Sequence, residues 1–163
     1  MANLNDIARN VLPGDMDKVA QIADNYGWGI EHDADSGLTF FRIVGGKGVG
    51  LADPYLLKME FDYYPMMPPS AVFVHRETRQ RGTVEEQRLF WPIFNKQPGI
   101  LRINITEDSK VGGLYLCYPY TYEFAVTHGQ SSHLWVPNKH SLLTTLTTLQ
   151  DLMSGQGYGR YFG

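Results

Sequence analysis

A cluster of prolines is the feature that most restricts how this chain folds. Pro65, Pro68 and Pro69 lie within five residues of one another, and each proline fixes its own φ and lacks a backbone N–H. Such a segment cannot pair as an ordinary strand, so it must run as a rigid, extended connection between elements. Residues 55–63, directly before it, alternate between apolar and polar side chains, the pattern of a strand with one buried and one solvated face.

Short apolar segments around this cluster predict a series of successive strands. We expect strands at 28–31, 38–44, 55–63, 71–74, 100–105 and 114–116. Turn-forming residues, Asp33-Ala-Asp-Ser-Gly37, separate the first two. Because helical patterns flank the strands, the expected fold class is α+β.

The N-terminal residues have a helical periodicity that is interrupted once. Apolar residues recur at helical spacing from Leu4 to Leu12, and Pro13-Gly14 then breaks the pattern. Asp15 is suited to cap a second helix that runs to Tyr26. The sequence therefore predicts two helices before the first strand.

Two further helices are predicted later in the chain. Thr83 and Glu86 have the spacing of a capping box, which predicts a short helix inserted between strands. From Asn138 onward, leucines recur at i, i+3, i+4 and i+7 and predict an amphipathic helix. The glycine-rich residues that follow, about 155–163, are expected to form a flexible tail.

Composition and charge are typical of a single globular domain. The 163 residues suffice for one core, and the 43% hydrophobic fraction argues against disorder. A net charge of −3 gives no reason to expect a nucleic-acid partner. No apolar run approaches the roughly 18 residues of a membrane span, and residues 1–6 lack the features of a signal peptide. A cytoplasmic location is the default expectation.

The single cysteine, Cys117, lies at the end of the short apolar run Leu114-Tyr-Leu116. One cysteine cannot form an intrachain disulfide. Pro119 ends the strand just after it, and a thiol where a strand gives way to irregular chain is well placed to meet solvent. From the residues alone, two interpretations stay open: a small buried hydrophobe, or a reactive thiol.

No metal or cofactor site is predicted. The histidines are scattered, no two of them have the i, i+4 spacing of a helical zinc motif, and a single thiol limits the choice of ligands. The acidic residues fall at caps and on alternating strand faces, which does not favour a paired-carboxylate hydrolase. A Cys-His hydrolase remains possible from the residue types.

Three short motifs follow one another along the chain. The first consists of Tyr64, Pro65, Pro68, Pro69 and Phe73. The second is Gly113-Leu-Tyr-Leu-Cys117, and the third is Trp135-Val-Pro137, which precedes the leucine-rich helix. In this order they resemble the proline segment, the strand that delivers the catalytic cysteine (here with one extra residue) and the segment after the active site of the ubiquitin-conjugating (E2) enzymes. The resemblance extends over about 15–154.

This resemblance implies a UBC-like fold in a single domain over 1–163. The expected elements are an N-terminal helix, an antiparallel four-stranded meander and a C-terminal helix packed on the sheet, with the inserted helix as an extra. It also implies that Cys117 accepts a ubiquitin-like modifier from an E1-like enzyme as a thioester and passes it to an amine of a protein substrate. Sulfur suits this role because a thiolate is nucleophilic and a thioester stays reactive toward amines. By the same resemblance, the helix from Asp15 would face the E1-like enzyme.

The chain departs from the family's pattern near the cysteine. The usual His-Pro-Asn is absent, and Asn104, the nearest asparagine in a comparable strand, lies farther upstream than usual. The departures are similar to divergent prokaryotic E2-like proteins encoded beside E1-like and ubiquitin-like partners, some in antiphage operons, which implies a role in antiviral defence. In several of those a histidine after the cysteine replaces the asparagine. His133 is the first candidate here and His128 the second, as an oxyanion donor or as a general base. Asn104 is retained as a further candidate oxyanion donor, with a strand or turn residue as the alternative.

Two alternatives to a conjugating enzyme remain. One is a non-catalytic E2-variant module that binds a modifier or partner without chemistry. The other is a thiol hydrolase that removes such modifiers.

Overall fold

The computed structural model describes residues 4–94, 104–108, 113–128, 135–155 and 157–161, with side chains for all of these except 4–7, 104–108, 160 and 161. The helices are α1 (Leu4–Tyr26), α2 (Val84–Phe90), α3 (Tyr122–Thr127) and α4 (Leu142–Ser154). The strands are β1 (Gly29–His32), β2 (Thr39–Gly45), β3 (Asp53–Glu60), β4 (Ser70–Val74), β5 (Pro92–Phe94), β6 (Asn104–Asp108), β7 (Gly113–Cys117) and β8 (Tyr158–Tyr161).

The four strands β1 to β4 form one antiparallel sheet in chain order. The register aligns Phe41 with Leu57 and Leu57 with Phe73, and all three side chains are fully buried on the same face. The expected α+β class and the four-stranded meander are therefore confirmed. Two smaller antiparallel pairs, β5–β8 and β6–β7, complete the described strands.

Helices α1 and α4 cover the buried face of this sheet. The side chains that pack in this core come from α1 and α4 at helical spacing, namely Leu12, Met16, Val19, Ala23, Leu142, Leu146, Leu149 and Met153. Burying a side chain of the size of leucine contributes about 1.5–3 kcal/mol. The leucine stripe thus places α4 against the sheet as its periodicity predicts.

The expectation of two N-terminal helices is wrong, because α1 continues through Pro13 as one helix. Pro13 lies on the exposed side, whereas Leu12 and Met16 on either side of it are both buried in the core. The apolar stripe is thus continuous across the proline, and its packing offsets the roughly 3 kcal/mol that an internal proline costs. Asp15 is accordingly no cap; it lies within the helix and is buried.

Tyr64, at the start of the proline segment, ties both helices together. Its hydroxyl donates a hydrogen bond to the buried carboxylate of Asp15 on α1 and accepts one from the N–H of Leu142, the first residue of α4, at 2.9 Å. Burial and the bond to Asp15 raise the pKa of Tyr64, so the hydroxyl keeps its proton. The first N–H groups of a helix have no hydrogen-bond partner within the helix. The Tyr64 hydroxyl is the acceptor for the first of these groups in α4.

The glycine-rich tail is not wholly irregular, since Tyr158–Tyr161 forms β8 against β5. The Tyr158 hydroxyl donates to the buried Asp53 at 2.7 Å and lies 2.5 Å from that of Tyr55. A Cβ on Gly45 would lie 2.7 Å from the Tyr158 ring, so a glycine is needed where the tail crosses β2. These contacts correct the expectation of a flexible tail at 158–161.

The inserted helix α2 begins as its sequence predicts. The Thr83 side chain accepts from the Glu86 N–H, and the Glu86 carboxylate accepts from the Thr83 N–H. Its buried residue is Gln87, while Leu89 is two-thirds exposed.

Among the described helices, none is both long and apolar enough to cross a membrane.

Candidate active site

Cys117 is the last residue of β7, a strand whose five residues are all buried. The thiol-bearing residue is 4% exposed, so it does not meet solvent as its place at a strand end suggested. The chain turns directly after it, where the single hydrogen of the Thr121 hydroxyl is within bonding distance of two carbonyls, those of Leu116 at 3.0 Å and Tyr118 at 2.9 Å. The end of the strand is therefore fixed on both sides of the sulfur.

Side chains from the inserted segment hold the other end of β7. The side-chain amide oxygen Oε1 of Gln87 accepts from the Leu114 N–H at 2.7 Å, and the Arg81 guanidinium donates to the Leu114 carbonyl at 2.6 Å. These two side chains bond the backbone groups that a neighbouring strand would otherwise pair. Gly113 has a φ of +122°, and a Cβ there would lie 2.8 Å from Gln87 Oε1. The leading glycine of the motif is thus required for the contact with α2.

The short helix α3 brings a histidine back to the thiol. It runs from Tyr122 to Thr127 with Thr121 as its N-cap, and His128 follows it, with its N–H bonded to the Phe124 carbonyl at 2.8 Å. The His128 ring stacks on that of Phe124 with centroids 4.7 Å apart. Its Nδ1 lies 3.6 Å from Cys117 Sγ. This is a hydrogen-bonding distance for sulfur, so the site contains a thiol–imidazole pair.

Thr127 contacts the same imidazole. Its Oγ1 lies 2.7 Å from His128 Nδ1 and donates to the Glu123 carbonyl one turn earlier, at 2.7 Å. The position of the ring is therefore set by Thr127 on one edge and by Phe124 on its face. Sequence reasoning did not single out Thr127, because nothing in the linear sequence shows that α3 ends there.

Burial raises the pKa of the Cys117 thiol, and the negative charge of Glu123 raises it further, whereas the Thr127 hydroxyl lowers it. Burial dominates because a thiolate loses most of its hydration in this position. The resting group is thus a protonated thiol, and its activation depends on a nearby group that stabilises the thiolate or accepts the proton.

Glu123 is a buried carboxylate behind the site, 8% exposed. Ser70 at the start of β4 donates a hydrogen bond to its Oε1, whereas Oε2 has no hydrogen-bond partner among the described residues. Burial raises the pKa of Glu123, and the bond from Ser70 and the charge of Arg81 oppose that rise. A cleft of about 410 Å³ lies beside it, between α3 and the outer face of β3 and β4.

Of the other two predicted site residues, Asn104 lies in a strand that the structure describes. The register of β6 and β7 aligns Asn104 with Cys117 as directly opposite residues of an antiparallel pair. Asn104 and Cys117 are therefore neighbours in the β6–β7 pair although they are far apart in the sequence. His133, the first candidate among the histidines, lies outside the described residues.

Two of the three motifs that carry the E2 resemblance are joined by a hydrogen bond. The Trp135 indole donates to the Pro65 carbonyl at 2.7 Å, and the Pro69 carbonyl accepts from the N–H of Tyr122 in α3 at 3.1 Å. The proline segment therefore bridges the residues that follow Cys117 and the segment that leads into α4.

Within the part of the chain that the structure describes, no three histidine, cysteine or acidic side chains lie together as a metal site would need. Comparisons of the chain with protein-family models, with curated proteins and with solved structures gave no match.

Proposed function

We propose that this chain is an E2-like acyl carrier with a UBC-like fold, in which Cys117 accepts a ubiquitin-like modifier from an E1-like enzyme and passes it to an amine. The observation that carries the proposal is the pairing of Cys117 with His128, with 3.6 Å between Sγ and Nδ1. A thiol needs a neighbouring base or donor to react when burial raises its pKa, and His128 supplies one.

The contacts of the proline segment support the same proposal. Trp135 and Pro65 are joined by a hydrogen bond, and Tyr64 joins α1 to α4. Residues of the proline segment thus connect α1, α4 and the segment that begins at Trp135. An accidental match of short motifs gives no reason for such contacts.

The proposed reaction has two steps. In the first, the Cys117 thiolate attacks the carbonyl carbon of the activated modifier, a new C–S bond forms, and the sulfur of the donor leaves as a thiolate. In the second, an amine attacks the same carbonyl, a C–N bond forms, and the Cys117 sulfur leaves while the nitrogen loses a proton to a base. Both steps pass through an oxyanion, which an imidazole N–H or an asparagine amide can stabilise.

The test is formation of the thioester in a purified system. The protein is mixed with an E1-like enzyme, the ubiquitin-like protein that this enzyme activates and ATP, and the products are separated on a non-reducing gel. We expect an adduct that a thiol reagent removes, and an adduct that resists thiol in Cys117→Ser, because that variant forms an ester. The absence of any adduct with an active E1-like enzyme would contradict the proposal.

The assisting residue is tested by discharge of that thioester to free lysine. His128→Ala should slow discharge about 100-fold, the ordinary contribution of a general base or an oxyanion donor. His133→Ala and Asn104→Ala are compared in the same assay. The control is His140→Ala, because the His140 ring packs against Trp135. Discharge by His128→Ala at the wild-type rate would remove His128 from the proposed site.

A non-catalytic binding module is the second candidate, and the burial of Cys117 favours it. A thiol that is 4% exposed and whose pKa burial raises fits a packing residue as well as a carrier at rest. This candidate predicts binding of the ubiquitin-like protein that Cys117→Ala leaves unchanged, with no thioester under any condition.

A further inference from the structure

The hydroxyl group of Thr127 makes two short contacts, and only one of them requires the hydroxyl to be the hydrogen-bond donor. Its Oγ1 lies 2.7 Å from the carbonyl oxygen of Glu123 and 2.7 Å from Nδ1 of His128. A third, longer contact of 3.4 Å reaches the Phe124 carbonyl. A hydroxyl has one hydrogen to donate and two lone pairs to accept with. A carbonyl oxygen has no hydrogen, so the Glu123 contact is a hydrogen bond only when Thr127 donates.

While Cys117 is a protonated thiol, the hydrogen of Thr127 is bonded to the Glu123 carbonyl, which leaves its lone pairs to face His128. At 2.7 Å, a bare Nδ1 and the lone pairs of Oγ1 would repel each other, whereas an Nδ1–H completes a hydrogen bond. We propose that Thr127 is a positioning residue that holds neutral His128 in the Nδ1–H tautomer and leaves Nε2 as the basic nitrogen.

This tautomer decides what His128 does for Cys117. The nitrogen 3.6 Å from Sγ is Nδ1, and its one hydrogen, bonded to Thr127 Oγ1, is shared with the sulfur at longer range. The imidazole therefore does not accept the thiol proton through that atom. The N–H stabilises the thiolate once it forms. His128 is exposed, and Nε2 is the ring nitrogen left to take a proton from an attacking amine. This role of Nε2 rests on the proposed function, whereas the tautomer does not.

The assignment is tested by nitrogen-15 NMR of the histidine rings, at about pH 8.5, two units above the ordinary imidazole pKa. Two-bond correlations distinguish a protonated from a bare ring nitrogen, and the His128 signals are identified by their loss in His128→Gln. We expect the Nδ1–H pattern for His128 in the wild type and in Thr127→Ser, which keeps the hydroxyl. In Thr127→Val, which keeps the shape and loses the hydroxyl, the population should shift measurably toward Nε2–H.

Thr147 provides a matched control, because its hydroxyl makes the same backbone contacts in α4, 2.8 Å to the Leu143 carbonyl and 3.5 Å to that of Thr144. Thr147→Val removes a helix-backbone hydrogen bond with no histidine at issue and should leave the His128 pattern unchanged. An Nε2–H pattern in the wild type, or a pattern that Thr127→Val does not alter, would overturn the assignment.

The measurement needs no modifier or E1-like enzyme, so it is independent of the conjugation assay. An Nδ1–H pattern that Thr127→Val shifts supports the role of Thr127 even if no thioester forms. A thioester that forms on a chain whose His128 is Nε2–H supports the proposed function and refutes the role of Thr127.

Discussion

Replacing Tyr64 with phenylalanine tests whether the proline segment joins the two helices as the structure indicates. The change removes one hydroxyl group, which donates to the buried Asp15 carboxylate and accepts from the Leu142 N–H. A hydrogen bond to a charged group contributes about 1.5–3 kcal/mol, and leaving a buried N–H without a partner costs about 1–3 kcal/mol. Lys18, 3.0 Å from the other Asp15 oxygen, keeps that carboxylate partly compensated. We therefore expect a loss of about 3 kcal/mol in the free energy of unfolding.

Urea denaturation measures this loss directly, and for a chain of this size the same loss lowers Tm by about 6–12 °C. Tyr63→Phe is the matched control, since Tyr63 is 47% exposed and stacks on Tyr122 through its ring. It should change the free energy of unfolding by less than about 0.5 kcal/mol. Equal effects of the two substitutions would refute the argument that Tyr64 caps α4 and holds α1.

Three further predictions concern the site and the core. Because burial raises the folded-state pKa of Glu123, the wild type should lose stability relative to Glu123→Gln as pH rises from about 4.5 through that raised pKa; a constant difference between the two would contradict this. The same substitution removes a charge that raises the pKa of Cys117, so iodoacetamide should alkylate the thiol faster at pH 7, and an unchanged rate would show that the charge is screened. Leu146→Ala, at a residue 1% exposed, should cost about 2–5 kcal/mol in urea denaturation, and a loss below about 1 kcal/mol would argue against α4 as a core helix.

The meander and α4 were predictable because each has a strong period. Residues 55–63 alternate regularly, and the α4 leucines follow a helical stripe. The single helix α1 was not, since Pro13 is a valid local stop signal. Only the placement of Leu12 and Met16 against the sheet shows why the helix continues.

Cys117 could be singled out from the sequence, and His128 and Asn104 could be named as candidates by resemblance, but their placement relative to the thiol could not be predicted. The helix α3 has only six residues, too few to show a period, and its one local signal is the N-cap Thr121. Without that helix, no sequence distance shows that His128 lies at the thiol. Asn104 lies far upstream of Cys117 in the sequence, and only the β6–β7 pairing, a tertiary contact, aligns the two residues.

The central claim is that the Cys117 sulfur accepts an acyl group and forms a thioester. It is tested most directly without any partner protein. The protein is incubated with a peptide whose C-terminal glycine is a thioester of a small thiol, and its intact mass is measured. We expect one added acyl group, located on Cys117, that a thiol reagent removes and free lysine discharges, and no addition to Cys117→Ala. A wild-type mass that stays unchanged, or an acyl group found equally in Cys117→Ala, would contradict the account.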